Sequence, residues 1–281
     1  MKVLTYNIHG WRTAEGAPNV ALVAEVIAAS DADLVGLNEV FHPQPASAPA
    51  LADLAARLGM SWAFGPTQPA QGRPDNPPDH PPYGNALLSR WPILAYAAHH
   101  LAPMTSYGKR GMLETRVVAP SGRPLTIYVT HLDHRVEALR LEQWAAALTW
   151  LLRDRARQHL LLGDFNALAA VDYPSDAARG RLAAYQQAQN WPPSAFDLID
   201  QIRKAGYVDA YDRFRPAEAA PEAAPPGATF PAAEPERRID YIFASPAAAE
   251  HLIACRPFDH PTARSASDHL PVLAEFDALD G

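Results

Sequence analysis

The sequence predicts a protein of the α/β class with an α+β arrangement, because strands and helices alternate early and an antiparallel strand series follows. Two apolar strands, Val3–Tyr6 and Asp33–Leu37, flank a helix over about Val20–Ala29 whose apolar residues recur at helical spacing. Further helices are predicted near Ala50–Leu58 and over about Val136–Leu152. The other predicted strands are Ala86–Leu88, Ile93–Ala98, Met112–Val118, Leu125–Thr130, His159–Leu162, Ile239–Ala244, Leu252–Arg256 and Pro271–Phe276.

The length and composition predict one domain with a sizeable core. The chain has 281 residues, of which 48% are hydrophobic, and neither an internal repeat nor a linker divides it, so we expect a single domain over residues 1–281. Insertions interrupt it near 65–82, 168–195 and 216–235. The first is a Pro-rich loop too polar to be buried, the second is partly helical, and the third, rich in Ala, Pro and Glu, is expected to be flexible.

The charge and the cysteine count narrow the choice of partners and compartment. The formal net charge of -7 lacks the basic footprint of a tight duplex-DNA binder, so nucleic acid is a candidate partner that the charge does not favour. The net charge does not exclude a local basic patch around Arg237 and Arg238. The single cysteine, Cys255, excludes an intramolecular disulfide and a cysteine metal cluster. Since no signal peptide or transmembrane segment is visible, we expect a cytoplasmic protein, and we infer no obligate protein partner.

The most informative segment is Leu160–Ala167, in which an apolar strand ends in Gly-Asp-Phe-Asn. At strand spacing Asp164 and Asn166 point to the same side, where a carboxylate and a carboxamide can hold a water molecule against a phosphate. A plain turn is the alternative, because Gly, Asp and Asn are turn formers.

Other polar residues recur where predicted strands end or begin. Strand ends at one rim of a packed sheet can converge from distant parts of the sequence, so these residues are candidates for one site. They are Asn7, His9, Asn38, Glu39, Asn85, Arg110, His131, Asp133, Asp240, Asp268 and His269.

The segments around these residues resemble the endonuclease/exonuclease/phosphatase superfamily, whose members include DNase I-like nucleases, apurinic endonucleases, sphingomyelinases and inositol-phosphate phosphatases. Each match is weak alone, but all seven occur in the family's order. The resemblance implies a four-layer α/β/β/α sandwich, with two packed mixed β-sheets flanked by helices. The matching segments are TYNIHG (Thr5–Gly10), GLNEV (Gly36–Val40), YGNALLSR (Tyr83–Arg90), THLDH (Thr130–His134), LLGDFNA (Leu161–Ala167), RRIDYIF (Arg237–Phe243) and SDHLPV (Ser267–Val272).

The resemblance implies a magnesium site, with Mn²⁺ as a substitute. Glu39 matches the main metal ligand, and Asn7 and Asp268 match residues that contribute directly or through water. A hard oxygen ligand suits Mg²⁺, which keeps several waters and therefore needs few protein ligands. A solvated carboxylate or helix cap is the alternative for Glu39, and a turn-forming role is the alternative for Asn7.

The catalytic roles also come from the resemblance. Asp164 matches the group that orients and deprotonates the attacking water, and Asn166 matches the residue that holds this water or a phosphate oxygen. His131 and His269 resemble the imidazoles that contact the phosphoryl oxygens. Asp240 matches the carboxylate that pairs with the final histidine and raises its pKa.

Four positions carry less weight. Arg110 and Asn85 are candidate phosphate-binding residues, although a surface salt bridge explains Arg110 almost as well. His9 stands where several family nucleases have Asp, which favours a one-metal site; His9 is a candidate ligand, a substrate contact or a hydrogen-bonded loop residue. Asn38 replaces a common Gln, and we expect little consequence.

The predicted function is Mg²⁺-dependent hydrolysis of a phosphoester, a phosphodiesterase or phosphatase reaction, through in-line attack of water. A small or non-duplex substrate is preferred. A DNase I-like nuclease and a sphingomyelinase-like enzyme are the alternatives, and a non-catalytic binding protein on the same fold is a remote one.

Overall fold

The computed structural model describes residues 1–42, 49–67, 82–105, 108–216 and 224–279. Its helices are α1 (Val20–Ser30), α2 (Pro49–Leu58), α3 (Glu137–Leu151), α4 (Asp176–Ala188), α5 (Asp197–Lys204), α6 (Pro246–Ala249) and α7 (Ala263–Ala266). Its strands are β1 (Lys2–Asn7), β2 (Leu34–Phe41), β3 (Ser61–Pro66), β4 (Tyr83–Ser89), β5 (Ile93–Thr105), β6 (Gly108–Val118), β7 (Pro124–His131), β8 (His159–Asp164), β9 (Val208–Asp209), β10 (Asp240–Ala244), β11 (Leu252–Pro257) and β12 (Val272–Phe276).

The strands form two mixed six-stranded sheets, in the orders β11-β12-β1-β2-β4-β3 and β5-β6-β7-β8-β10-β9. Each sheet contains one parallel pair at its centre, β1 with β2 and β7 with β8, and its other pairs are antiparallel. Because both strands of each parallel pair end at the same edge, four carboxyl ends are available for one site.

Three apolar layers hold the sheets and helices together. The middle layer lies between the sheets, where Leu34 of β2 and Val129 and Leu162 of the second sheet are buried. The outer layers lie under α1 and α2 on one side and under α3 and α5 on the other. The close approach of the sheets requires Gly36, since a Cβ at this position would lie 2.2 Å from the Leu162 side chain. The predicted four-layer α/β/β/α sandwich is therefore confirmed.

Most predicted elements are confirmed within a few residues, but several details were wrong. The second strand runs on to Phe41 instead of ending at Leu37, and β3, β9 and α5 were not predicted. In the loop predicted near 65–82, Gly65 and Pro66 belong to β3, and Gly65 and Thr67 are buried, so the prediction of an exposed loop is wrong there. Residues 68–81 lie outside the described part of the chain.

The other two insertions differ from each other. The 168–195 segment contains α4, which confirms its partly helical character. In the 216–235 segment, residues 217–223 lie outside the described ranges. Residues 224–235 are not a loose excursion, because Pro225, Ala228, Thr229 and Ala232 are buried there. The single-domain assignment stays a prediction, and none of the helices in the described ranges is long and apolar enough to cross a membrane.

Candidate active site

The candidate site lies where three central strands end. Asn7, His131 and Asp164 are the last residues of β1, β7 and β8, respectively. The two sheets meet here through a hydrogen bond of 3.1 Å, which Asn7 Nδ2 donates to Asp164 Oδ2. Residues separated by more than 150 positions are therefore brought into contact by the sheet topology.

A β-bulge places Glu39 at this rim. In the β2–β4 pairing Leu37 lies opposite Ala86 and Val40 lies opposite Gly84, so two residues of β2 face Asn85 alone. Glu39 has a positive φ of 61°, a conformation that is costly for a residue with a side chain and that often occurs at functional sites. Its half-buried carboxylate accepts a hydrogen bond of 3.2 Å from Asn7 Nδ2. The sequence suggested that Glu39 follows a strand, but the structure places it within β2.

Asn38, to which the sequence assigned little consequence, is the polar connection beneath the site. Its Nδ2 donates to Asn85 Oδ1 at 2.8 Å and to the Thr130 carbonyl at 2.9 Å, while its Oδ1 accepts from the Asp164 backbone N–H at 2.9 Å. Asn85 in turn donates to the Gly111 carbonyl at 2.9 Å. Asn85 is therefore part of the frame that supports the site, and its direct contact with phosphate stays a prediction.

The Gly-Asp-Phe-Asn segment contains both a strand end and a turn. The strand ends at Asp164, and Asn166 has a positive φ of 50°, so the strand spacing assumed for these two residues is wrong. A turn still joins them, because the Asn166 backbone N–H donates to Asp164 Oδ1 at 2.9 Å. Asn166 Nδ2 then lies 3.0 Å from His131 Nε2 and 3.2 Å from the Leu132 carbonyl.

His131 is held as a neutral imidazole. Its Nδ1 lies 3.1 Å from the Tyr83 hydroxyl, and its Nε2 lies 3.4 Å from Asp164 Oδ2. Burial, together with the nearby Arg110 charge, lowers the pKa of His131 well below its usual value. Sequence reasoning missed Tyr83, whose only signal was its place at the start of the YGN segment.

His269 is in the opposite state. Its Nδ1 lies 2.9 Å from Asp240 Oδ2, which confirms the predicted pairing. Although burial opposes the charge, the Asp240 carboxylate raises the pKa of His269 to about 10. Thr229 Oγ1 donates to the same carboxylate oxygen at 2.6 Å, and the Phe230 ring lies 4.9 Å from the imidazole. Both residues come from the segment predicted to be flexible, and sequence reasoning missed them.

Asp164 lies in an environment rich in negative charge. Asp240 of β10 is directly opposite Asp164 in the antiparallel pairing. Burial, and secondly the Asp240 charge, raise the pKa of Asp164 to about 7. The site thus contains more carboxylates than cations, and this negative charge favours the protonated forms of Asp164 and His269. The carboxylates are those of Glu39, Asp164, Asp240 and Asp268.

This excess of negative charge fits a cation. Asp240 Oδ1 is buried without a hydrogen-bond partner in the described part of the chain, and Glu39 and Asp268 keep partly exposed carboxylates. Asp164, Asp240 and His269 offer ligand atoms within 4.8 Å of one another, but Asp240 and His269 already bind each other. The oxygens nearer solvent on Glu39 and Asp268 therefore suit a hydrated Mg²⁺ better.

Asn7 and His9 lie beside these carboxylates. As oriented, Asn7 presents its Nδ2 to Glu39, and its Oδ1 accepts the His9 backbone N–H at 3.1 Å. His9 Nε2 lies 4.0 Å from Asp268 Oδ2, and Asp268 Oδ1 lies 3.9 Å from His269 Nε2. The sequence prediction correctly brought these residues together, while their ligand roles stay predictions.

Arg110 is buried at the edge of the site. Its Nη2 lies 3.3 Å from His134 Nδ1, and its charge acts on His131 and Tyr83. In the described ranges, no carboxylate lies within ion-pair distance of Arg110. A surface salt bridge is therefore the wrong explanation for this residue. Its guanidinium is available to an anion.

Comparisons with known proteins identify the family of this chain. The sequence profile of the Endonuclease/Exonuclease/phosphatase family matches residues 4–269, while no curated protein matches the chain. An endonuclease/exonuclease/phosphatase from Beutenbergia cavernae is 26% identical, with a TM-score of 0.71 over 100% of this chain and 72% of that one.

Two further structures show the same fold at lower identity. A mannosyl-6-phosphatase from Bacteroides thetaiotaomicron is 19% identical, with a TM-score of 0.67 over 99% of this chain and 100% of its own. A 3′ phosphatase from Neisseria, bound to a product DNA hairpin, is 22% identical, with a TM-score of 0.64 over 99% and 100%. With the family profile covering nearly the whole chain, this protein belongs to the endonuclease/exonuclease/phosphatase family of phosphoesterases.

Proposed function

We propose that this protein is a Mg²⁺-dependent hydrolase of phosphoester bonds that uses an in-line water molecule. The observation that carries the proposal is the convergence of three groups on one oxygen, Asp164 Oδ2. Asn7 Nδ2 lies at 3.1 Å, His131 Nε2 at 3.4 Å and His269 Nε2 at 3.9 Å from this oxygen. A buried carboxylate surrounded by one neutral and one charged imidazole suits proton transfer beside an anion.

The metal would be held by Glu39, with Asn7 and Asp268 contributing directly or through water. When bound, Mg²⁺ or Mn²⁺ would supply positive charge to a phosphoryl oxygen and to the leaving oxygen. Glu39 and Asp268 are half-buried, which leaves room for the waters that Mg²⁺ retains.

Each protein side chain of the site would have a separate role in the reaction. Asp164 accepts a proton from the water as the new P–O bond forms, and the ester P–O bond breaks with its electron pair on the leaving oxygen. Asn166 and His131 would contact phosphoryl oxygens, and charged His269 would stabilise the negative charge there. Asp240 keeps His269 protonated and oriented. Arg110 adds a second positive charge at the edge.

A small or non-duplex phosphoester is the proposed substrate class. The net charge of -7 disfavours tight binding to duplex DNA. The two similar phosphatases act on a sugar phosphate and on a DNA 3′ end, respectively, which supports a compact or terminal phosphate.

A substrate screen with added Mg²⁺ tests the proposal. The panel is p-nitrophenyl phosphate, bis-p-nitrophenyl phosphate, inositol phosphates, sphingomyelin and plasmid DNA. We expect hydrolysis of small esters, and a loss of about two to four orders of magnitude in kcat for Asp164→Asn and His269→Gln. Asp31→Asn and His251→Gln, at exposed ion pairs away from the site, are the matched controls.

Three outcomes would contradict the proposal. Near-normal rates in both site variants, with the fold intact, would remove the assigned roles. Cleavage of plasmid DNA far faster than the small esters would replace the substrate class with a nuclease substrate. Binding without turnover of any ester would point to a non-catalytic protein.

A further inference from the structure

Two neighbouring arginines in the RRIDYIF segment have different environments. Arg238 is buried between two carboxylates, with its Nε 3.0 Å from Asp172 Oδ2 and its Nη1 2.8 Å from Asp209 Oδ2. Despite burial, its neighbours raise the pKa of Arg238 well above the usual value. Arg238 is therefore a structural residue, and the suggested basic patch does not include it.

Arg237 is also buried, with 6% of its surface exposed, but it has no such partners among the described residues. Among the residues that the structure describes, no carboxylate lies within ion-pair distance of its guanidinium, and its Nε is buried without a hydrogen-bond partner. Within the described ranges its guanidinium donates one long hydrogen bond of 3.5 Å, from Nη2 to the Tyr185 hydroxyl. Burial lowers the pKa of Arg237, the reverse of the shift at Arg238.

Three aromatic rings surround this guanidinium. Its central carbon lies 4.4 Å from the centre of the Trp191 ring and 4.8 Å from those of Tyr185 and Phe230. Cation–π contacts offset part of the cost of burying the charge, but they supply no in-plane acceptor, and Nε has none among the described residues. A stacked guanidinium with free N–H groups is suited to bidentate binding of a carboxylate or phosphate.

The position of Arg237 connects it to the candidate active site. Arg237 and Asn166 line the same small cavity, together with His134. Arg237 also lines a cavity of about 310 Å³ between α4 and residues 224–225, whose wall includes Tyr173. Phe230, which stacks on Arg237, also contacts the His269 imidazole. A substrate with its phosphate at Asn166 can therefore extend toward Arg237.

We propose that Arg237 binds a second anionic group, a carboxylate or a phosphate, carried by the organic part of the substrate. The inference rests on the proposed function and narrows it to phosphoesters that carry an additional negative charge. Arg237 would act in binding and specificity, and the chemical step stays with Asp164 and the two histidines.

Binding of phosphonates, which cannot be hydrolysed, tests the inference in the intact protein with Mg²⁺. The probes are benzylphosphonate and its 3- and 4-carboxylate derivatives, measured by calorimetry. A charge-assisted bidentate contact predicts that at least one carboxylate derivative binds about 10- to 100-fold more tightly than benzylphosphonate. Equal affinity for all three would overturn the inference without requiring any variant.

Variants test whether Arg237 causes the preference for the carboxylate derivatives. Arg237→Met keeps much of the stacked volume and should remove the preference for the carboxylate, while Arg237→Lys should keep part of it. Arg264→Met, at an exposed ion pair with Asp259, is the control and should leave the preference unchanged. A preference retained in Arg237→Met would overturn the inference.

The two proposals fail in different ways. Absence of a charge preference in the wild-type protein, with Mg²⁺-dependent hydrolysis intact, contradicts only the role of Arg237. Absence of hydrolysis of every screened ester contradicts the proposed function.

Discussion

Removing the Asn38 side chain should damage both the stability of the protein and its turnover. Asn38→Ala removes a hydrogen-bond partner from three buried groups: the Asn85 amide oxygen, the Thr130 carbonyl and the Asp164 backbone N–H. Each unsatisfied buried group costs about 1–3 kcal/mol. Because water can enter the vacated space and satisfy part of the set, we expect a loss of about 3 kcal/mol in the free energy of unfolding.

The same change should lower kcat by about 10- to 100-fold, because the backbone of Asp164 loses its anchor and small displacements of reacting groups are costly. Urea denaturation measures the stability, and hydrolysis of a small ester at saturating substrate and Mg²⁺ measures kcat. Tyr128→Phe is the control, since it removes a buried hydrogen bond of 2.8 Å to Asp154 in the outer layer. It should lower stability and leave kcat unchanged.

Asn38→Asp separates shape from hydrogen bonding. The aspartate has nearly the same size and still accepts from the Asp164 N–H, but it turns an oxygen toward the two acceptors, Asn85 Oδ1 and the Thr130 carbonyl. It should therefore be no better than Asn38→Ala. If either variant loses less than about 1 kcal/mol and keeps its kcat, Asn38 is not the connection described above.

Three further predictions concern the metal, the glycine before Asp164 and the buried histidine at the start of β8. Mg²⁺ should raise the Tm of the wild-type protein by mass action, and Glu39→Gln should abolish this rise; an unchanged rise would place the metal elsewhere. Gly163→Ala should prevent stable folding, because its Cβ would lie 1.9 Å from a backbone oxygen of β7 at a φ of 140°, whereas Gly180→Ala on α4 should stabilise by about 0.5–1 kcal/mol. Comparable stabilities for the two glycine variants would contradict this. Burial lowers the pKa of His159, so its neutral form favours the folded state above about pH 6.5 and this contribution is lost as the pH falls below that value. His159→Gln should therefore reduce the loss of stability between about pH 6.5 and 5 in denaturation curves, and an identical slope would contradict the assignment.

The sequence predicted the fold well where its pattern is local. Apolar strands and the long amphipathic helix were found within a few residues, and the convergence of Asn7, His131, Asp164 and His269 followed from their places at strand ends. The pairing of His269 with Asp240 came from the family resemblance, and the geometry confirms it. These features depend on strand order and spacing, which a sequence expresses directly.

Other features depend on tertiary contacts that have no local pattern. The bulge at Glu39 arises from pairing with β4, and nothing in GLNEV alone requires an extra residue there. Thr229 and Phe230 lie in a segment whose composition resembles a flexible linker, yet their contacts with Asp240 and His269 hold it in place. A short segment of this kind is ordered by a few polar contacts, which composition does not report.

The motifs that carry this site contain adjacent residues with different tasks, and the local backbone explains why. The bulge in β2 turns Glu39 to the rim next to the buried Asn38, and Arg237 and Arg238 lie just before β10 among different neighbours. Asn38 supports the backbone of Asp164 while Glu39 faces Asn7 at the rim. Arg238 is fixed by carboxylates, while Arg237 lies beside the cavity with no carboxylate partner among the described residues. A motif match therefore identifies a pair, and only the contacts decide which member supports the site and which one faces the substrate.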